Sequence, residues 1–108
     1  MKSGVGALLL AGGESSRMGT DKALLPALAD GEGGVVPLWQ VLAAELERVA
    51  AVGVLSLGVE QDLGSSAARP GWSTVRDAEP GLGPLVALGR ALPRLVPCDV
   101  VVVCAVDV

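Results

Sequence analysis

The sequence predicts an α/β protein, a parallel β-sheet with helices against its faces. Apolar runs rich in Val, Leu and Ala, as at residues 5–11 and 100–106, mark strands buried on both faces, the pattern of parallel sheets. These runs alternate with stretches of helical periodicity, the order of βαβ units joined by right-handed crossovers. Phe and Tyr are absent and only Trp39 and Trp72 are aromatic, so a core has to be built from Val, Leu and Ala, and 51% apolar residues are enough to build one.

The first strand is expected over residues 5–11. A glycine-bearing loop follows, and residues 27–34, with Asp30, Gly31, Glu32, Gly33 and Gly34, read as a flexible surface excursion. Pro37 suits a first helical position. Behind it Leu38, Leu42, Leu46 and Val49 recur at helical spacing, with Glu45, Glu47 and Arg48 around them, and this helix is expected to end near Ala51. Trp39 falls within the same pattern and reads as a core anchor, whereas Trp72 has no assigned role. Residues 52–59 read as a second strand and 73–76 as a short third one running into Asp77. Pro80-Gly81-Leu82-Gly83-Pro84 is a rigid turn into a second helix, with Leu85, Leu88 and Leu92 on one face and Pro93 helping to stop it. Residues 99–106 form the fourth strand, ending at Asp107. The chain stops one residue later, where a strand should hand over to a loop. The sheet is therefore expected to be truncated after its fourth strand, with the chain an N-terminal portion of a larger protein. The edge left open would favour self-association.

At 108 residues this is one small domain or part of one. Net charge is −4 and the eight basic residues are scattered, so no electrostatic footprint for nucleic acid exists. The chain contains no histidine, which excludes histidine acid–base chemistry and histidine metal ligands within it. Cys98 and Cys104, six residues apart on a predicted strand, face the same side but lie too far apart to bond. They read as buried free thiols in a reducing compartment. The apolar run near the N-terminus is at the short limit for a signal peptide, and no run is long enough to span a bilayer. A soluble cytoplasmic protein with no membrane partner is expected.

The segment Leu10-Ala11-Gly12-Gly13-Glu14-Ser15-Ser16-Arg17-Met18-Gly19-Thr20-Asp21-Lys22-Ala23-Leu24-Leu25 packs a glycine pair, two hydroxyls, an arginine and a lysine into one strand-exit loop. Such a loop suits a polyphosphate. Glycine lets the backbone turn tightly and brings N–H groups close to anionic oxygens. Arg17 offers a planar fork to phosphate oxygens and Lys22 a point charge. The familiar phosphate fingerprints do not apply: Gly19 is followed by Thr20 rather than Lys, and Gly12, Gly13 and Gly19 miss the dinucleotide spacing. Ligands of parallel α/β sheets bind outside the carboxyl ends of the strands. The Gly12 loop, Asp77 and Asp107 each follow a strand and converge on that edge. A carboxylate at a strand end is also a common helix cap or solvated turn residue. The shared location tips Asp107 towards a metal and leaves Asp77 open. The glycines of the 80–84 turn, Gly83 among them, would admit a ribose closely.

Residues 10–25 resemble the signature Leu-Ala-Gly-Gly-x-Ser-x-Arg-Met-Gly-x-Asp-Lys-x-Leu-Leu of the nucleotidyltransferases that include the MobA-like molybdenum cofactor guanylyltransferases, and meet every fixed position of it. Pro37-Leu38-Trp39-Gln40, Asp77 with Pro80-Gly81-x-Gly83-Pro84-Leu85, and Cys104-Ala105-Val106-Asp107 agree in order and spacing, while residues 55–74 show little match. The resemblance implies a Rossmann-like fold of the nucleotide-diphospho-sugar-transferase type. Residues 1–108 would be the nucleotide-binding portion of its domain. It also implies transfer of GMP from GTP to a molybdopterin-type cofactor with Mg²⁺, and molybdoenzymes or cofactor-insertion proteins as partners. Carried over, Leu10, Ala11, Gly12 and Gly13 would touch the nucleotide, and Arg17 and Lys22 would hold the phosphates. Asp77 and Gly83 would contact the GTP, and Asp107 would coordinate Mg²⁺. The family's guanine-reading asparagine on the second strand has no evident counterpart in Leu55-Ser56-Leu57-Gly58. Two rival readings stand beside this one: a CTP-using or sugar-phosphate nucleotidyltransferase, and a non-catalytic nucleotide-binding fragment.

Overall fold

A computed structural model describes residues 4–12, 22–28, 35–58, 61, 69–76 and 84–106. Among the described residues, six strands and two helices follow in the order β1 (Val5–Leu10), β2 (Pro26–Leu28), β3 (Val35–Pro37), α1 (Leu38–Leu46), β4 (Val52–Leu57), β5 (Trp72–Arg76), α2 (Pro84–Ala91) and β6 (Val100–Ala105), with 3₁₀ turns at Lys22–Leu24 and Leu92–Leu95. The main sheet has the order β5-β4-β1-β6, every pair parallel. Leu8 stands opposite Val54 and Val103, and Leu9 opposite Leu55 and Cys104. The chain steps outward from β1 through β4 to β5, then returns to the far side of β1 to lay down β6. Strand order thus reverses beside β1, the place where open α/β sheets leave a crevice for ligands.

Alternation along β1 divides the core into two layers. Ala7, Leu9 and Ala11 join Leu55, Leu57 and Val106 under the α1 residues Trp39, Ala43 and Leu46. Leu8 faces the other way, with Val54, and packs against Ala91 and Leu95. Leu8, Leu9, Val54 and Leu55 are fully buried. Burying each such side chain is worth about 1.5–3 kcal/mol, so β1 and β4 are the stable centre of the sheet. Trp39 is 0% exposed and anchors the α1 layer as its spacing predicts. Its Nε1–H finds no hydrogen-bond partner among the described residues. That omission costs about 1–3 kcal/mol, less than the ~4–6 kcal/mol expected from burying an indole of this size. Packing therefore decides its position.

Several sequence expectations shift. Residues 27–34 were to be a loop throughout, yet Pro26–Leu28 pairs antiparallel with Val35–Pro37 in a small second sheet. Helix α1 ends at Leu46 rather than near Ala51. The Glu47, Arg48, Val49 and Ala50 amides close its last turn on Ala43, Glu45 and Leu46 carbonyls, and the Ala51 amide already bonds Val5 O in the sheet. Val49 is half exposed as a result. Helix α2 is rotated from its expected face: Ala87 and Ala91 are buried, while Leu85 is 81% and Leu92 40% exposed. Cys98 lies before β6, not on it, and packs in the α2 layer, whereas Cys104 packs in the α1 layer; the two free thiols sit on opposite faces of the sheet. On the outer strand β6, Val100 and Val103 are exposed.

A clamp closes the amino edge of the sheet. Arg69 donates from Nε and Nη2 to the two carboxylate oxygens of Glu47, at 2.9 and 2.7 Å, and Trp72 Nε1 donates to Glu47 Oε2 at 2.8 Å. The hydrogen bond to Glu47, aided by its charge, holds the Arg69 guanidinium above its ordinary pKa against the lowering effect of burial. This gives Trp72 its role: the indole lies over Gly53, where a Cβ would meet ring atoms at 2.6 Å. Gly53→Ala is expected to push the ring off Glu47 and cost about 1–3 kcal/mol. A thermal melt followed by tryptophan fluorescence checks this, as a domain of this size loses roughly 4–8 °C per kcal/mol.

Candidate functional site

All four strands of the main sheet run parallel, so their exits lie on one edge: Leu10–Gly12 after β1, Gly58 after β4, Arg76 at the end of β5 and Val106 after β6. Backbone bonds bind these exits together. The Ala11 and Gly12 amides both donate to Ser56 O, at 2.9 and 3.0 Å, and the Val106 amide donates to Leu10 O at 3.0 Å. Gly12 approaches β4 so closely that a Cβ on it would lie 2.8 Å from Gly58 N and 3.1 Å from the Leu57 carbonyl carbon. Only glycine allows this contact, and it holds the start of the glycine loop over the middle of the sheet.

Among the predicted site residues, Leu10, Ala11 and Gly12 are thereby brought to the β1 exit. The Lys22 backbone opens the 3₁₀ turn, where the next residue, Ala23, is buried in the same core layer as Ala11, Trp39 and Val106. The Leu38 amide bonds Leu25 O at 2.8 Å and fastens this turn to the start of α1. Gly13, Arg17, Asp77, Gly83 and Asp107, with the Lys22 side chain, lie outside the described residues. One refinement of the loop's chemistry follows. The Ala11 and Gly12 amides are already committed to Ser56 O. These two residues can offer a nucleotide a rigid surface of close approach, but not N–H donors.

The exits carry a second set of contacts that the sequence did not announce. Gln61 Nε2 donates to Ala11 O at 2.8 Å, and Gln61 Oε1 accepts from the Gly58 amide at 2.8 Å. Arg76 Nη1 donates to Gly58 O at 2.8 Å and to Gln61 O at 2.6 Å. Gln61 stands 50 residues from Ala11 in the chain, within a stretch that matches no motif. The one sequence signal was Arg76 closing a predicted strand next to Asp77. Among the described residues, no group of three or more His, Cys, Asp or Glu side chains is placed to hold a metal ion. A shallow cleft lined by Glu47, Gly53, Gly71 and Trp72 belongs to the amino edge, opposite the strand exits. No helix among the described residues is long and apolar enough to cross a membrane.

Residues 7–108 match the model of the MobA-like NTP transferase domain family. A protein of Xanthomonas euvesicatoria pv. vesicatoria named molybdenum cofactor guanylyltransferase is 35% identical over 100 residues, 93% of this chain and 45% of its own length. Proteins of Mycobacterium bovis (BCG Pasteur) and Mycobacterium tuberculosis (H37Rv), named "Probable molybdenum cofactor guanylyltransferase", are each 40% identical over 103 residues, covering 93% of this chain and 47% of theirs. The chain thus spans about half the length of these curated relatives. With a four-stranded parallel sheet whose order reverses beside the glycine loop, and a family match that runs from β1 to the last residue, the chain belongs to the MobA-like NTP transferase domain family.

Proposed function

We propose that this chain is the nucleotide-binding portion of a molybdenum cofactor guanylyltransferase, which transfers GMP from GTP to a molybdopterin-type cofactor and releases pyrophosphate. The observation that carries the reading is the β1 exit. A glycine loop begins there on a backbone locked to its neighbours, at the point where strand order reverses. The names of the relatives supply the guanine nucleotide and the acceptor.

In this reaction a phosphate oxygen of the acceptor attacks the α-phosphorus of GTP. The bond from that phosphorus to the oxygen bridging to the β-phosphate breaks, and pyrophosphate departs with its electron pair. The attacking phosphate is already ionised near neutral pH, so no histidine base is needed, and none is present. Catalysis is then mainly positioning and electrostatic stabilisation. Leu10, Ala11 and Gly12 form the rigid floor. Phosphate-cradling amides come from Gly13 and the loop beyond it, since those of Ala11 and Gly12 are committed. Arg17 grips phosphate oxygens as a fork and Lys22 as a point charge. Asp77 and Gly83 line the nucleoside. Mg²⁺ is a hard ion that takes one or two carboxylates and phosphate oxygens, and Asp77 and Asp107 are the carboxylates that follow β5 and β6 in the sequence. Asp107 would hold it, next to Val106, which is bonded to Leu10. When bound, the ion neutralises charge on the phosphate oxygens. Free thiols and a nucleotide substrate accord with a cytoplasmic location.

The test is a titration with fluorescent GTP and CTP analogues in the presence of Mg²⁺, followed by a pyrophosphate-release assay with acceptor. Preferential GTP binding supports the reading, and preferential CTP binding ends the guanine assignment. Binding without pyrophosphate release would favour the nucleotide-holding module. Lys22→Ala is expected to weaken triphosphate binding by roughly 10- to 100-fold, since a hydrogen bond to a charged group is worth about 1.5–3 kcal/mol. Comparing GTP with guanosine in the same titration checks that the loss is confined to the phosphates.

A further inference from the structure

We propose that Gln61, fastened by Arg76, is a positioning residue for nucleotide binding: it latches the β4 exit to the β1 exit and so sets the backbone of Ala11 and Gly12. The assignment rests on the guanine-nucleotide reading above.

The side-chain amide of Gln61 is used at both ends. Its NH₂ donates to Ala11 O and its carbonyl accepts from the Gly58 amide, each at 2.8 Å. One planar group thus ties two strand ends together with opposite polarities. Gln supplies a donor and an acceptor side by side, whereas Glu supplies acceptors alone. The backbone of Gln61 is held in turn. Arg76 Nη1 reaches both Gly58 O and Gln61 O from the end of β5, so three adjacent strand ends, β5, β4 and β1, are cross-linked by two side chains. The gap being controlled is tight, because Gly12 sits against the Gly58 and Leu57 backbone with no room for a methyl group. Movement of the β4 exit by a few tenths of an ångström is therefore passed directly to Gly12. The latch lies on the β4–β5 side of β1, away from the β6 side that leads to Asp107. Its influence falls on how the nucleotide is seated, and so on Kd and KM, while kcat stays near its wild-type value.

Gln61→Glu is the discriminating variant. It keeps an acceptor for the Gly58 amide but turns an oxygen against Ala11 O. The full chain, Gln61→Glu and Arg76→Met are each titrated with a fluorescent GTP analogue and Mg²⁺, with melting temperatures measured alongside. The expected result is a Kd raised about tenfold in Gln61→Glu and severalfold in Arg76→Met, both folded at the assay temperature. Wild-type affinity in a folded Gln61→Glu would overturn the latch, because a residue that merely caps Gly58 tolerates a carboxylate. Should Gln61→Glu not fold, wild-type affinity in Arg76→Met would overturn it instead. Failure of the wild-type chain to bind GTP would overturn the functional reading itself, a result visible before any variant is compared.

Discussion

Asp107→Asn is expected to abolish Mg²⁺-dependent pyrophosphate release while leaving the melting temperature close to that of the wild type. Asparagine matches aspartate in size and keeps a carbonyl oxygen, but it removes the negative charge that a hard divalent ion requires. A bound metal supplies several kcal/mol of charge stabilisation in the transition state of phosphoryl chemistry. Each 1.36 kcal/mol is tenfold in rate, so a loss of at least about 10²-fold follows. The fold should not register the change. The tie from the β6 exit to β1 is a backbone bond, Val106 N–H to Leu10 O, which a side-chain substitution one residue later leaves in place. Pyrophosphate release measured across a Mg²⁺ titration checks the prediction. Activity at the wild-type level would remove Asp107 from the metal site.

Gly12→Ala is expected to be damaging for a different reason. The new methyl would lie 2.8 Å from Gly58 N, 3.1 Å from the Leu57 carbonyl carbon and 3.4 Å from Gly58 Cα. All three are backbone atoms in or next to a central strand, and none can swing aside as a flexible side chain would. The β1 and β4 exits must part, which strains the Ala11 and Gly12 bonds to Ser56 O and the Gln61 bond to Ala11 O. Overpacking of this kind costs about 1–3 kcal/mol. Nucleotide affinity should fall by at least about tenfold, because the floor of the site moves together with the strain. Gly58→Ala serves as the control. Among the described residues a Cβ there meets only Gln61 atoms at 3.8 Å, an ordinary contact, and both stability and affinity should change little. Thermal melts and GTP titrations of the pair separate the two outcomes.

The parts of the fold that the sequence made legible are those whose signal is local. The apolar run of β1 predicts the central strand. The Val-rich run of β6 predicts a parallel strand within a residue or two of where it lies. Trp39 was placed in the core because its helix pattern contained it. Other features escaped for physical reasons. In α2 apolar residues stand on every side, Leu85, Val86, Ala87, Leu88 and Ala91, so counting periods cannot choose the buried face. The small residues Ala87 and Ala91 turn out to face the sheet. Strands β2 and β3 have three residues each and acquire their identity only by pairing with one another. The latch could not be read at all. Gln61 and Ala11 are far apart in the chain, and an exposed-looking glutamine in a motif-poor stretch gives no sign that both ends of its amide are engaged. At the candidate site, the start of the glycine loop at the β1 exit was legible. The commitment of its first two amides to Ser56 O was not, because that depends on the register of β1 against β4.

A crystal structure of the chain grown with GTP and Mg²⁺ tests the central claim most directly. The triphosphate is expected over the β1 exit beyond Gly12, within reach of Arg17 and Lys22, with the metal between its phosphates and Asp107. Nucleotide bound at any other edge of the sheet, or a metal held without Asp107, would contradict it.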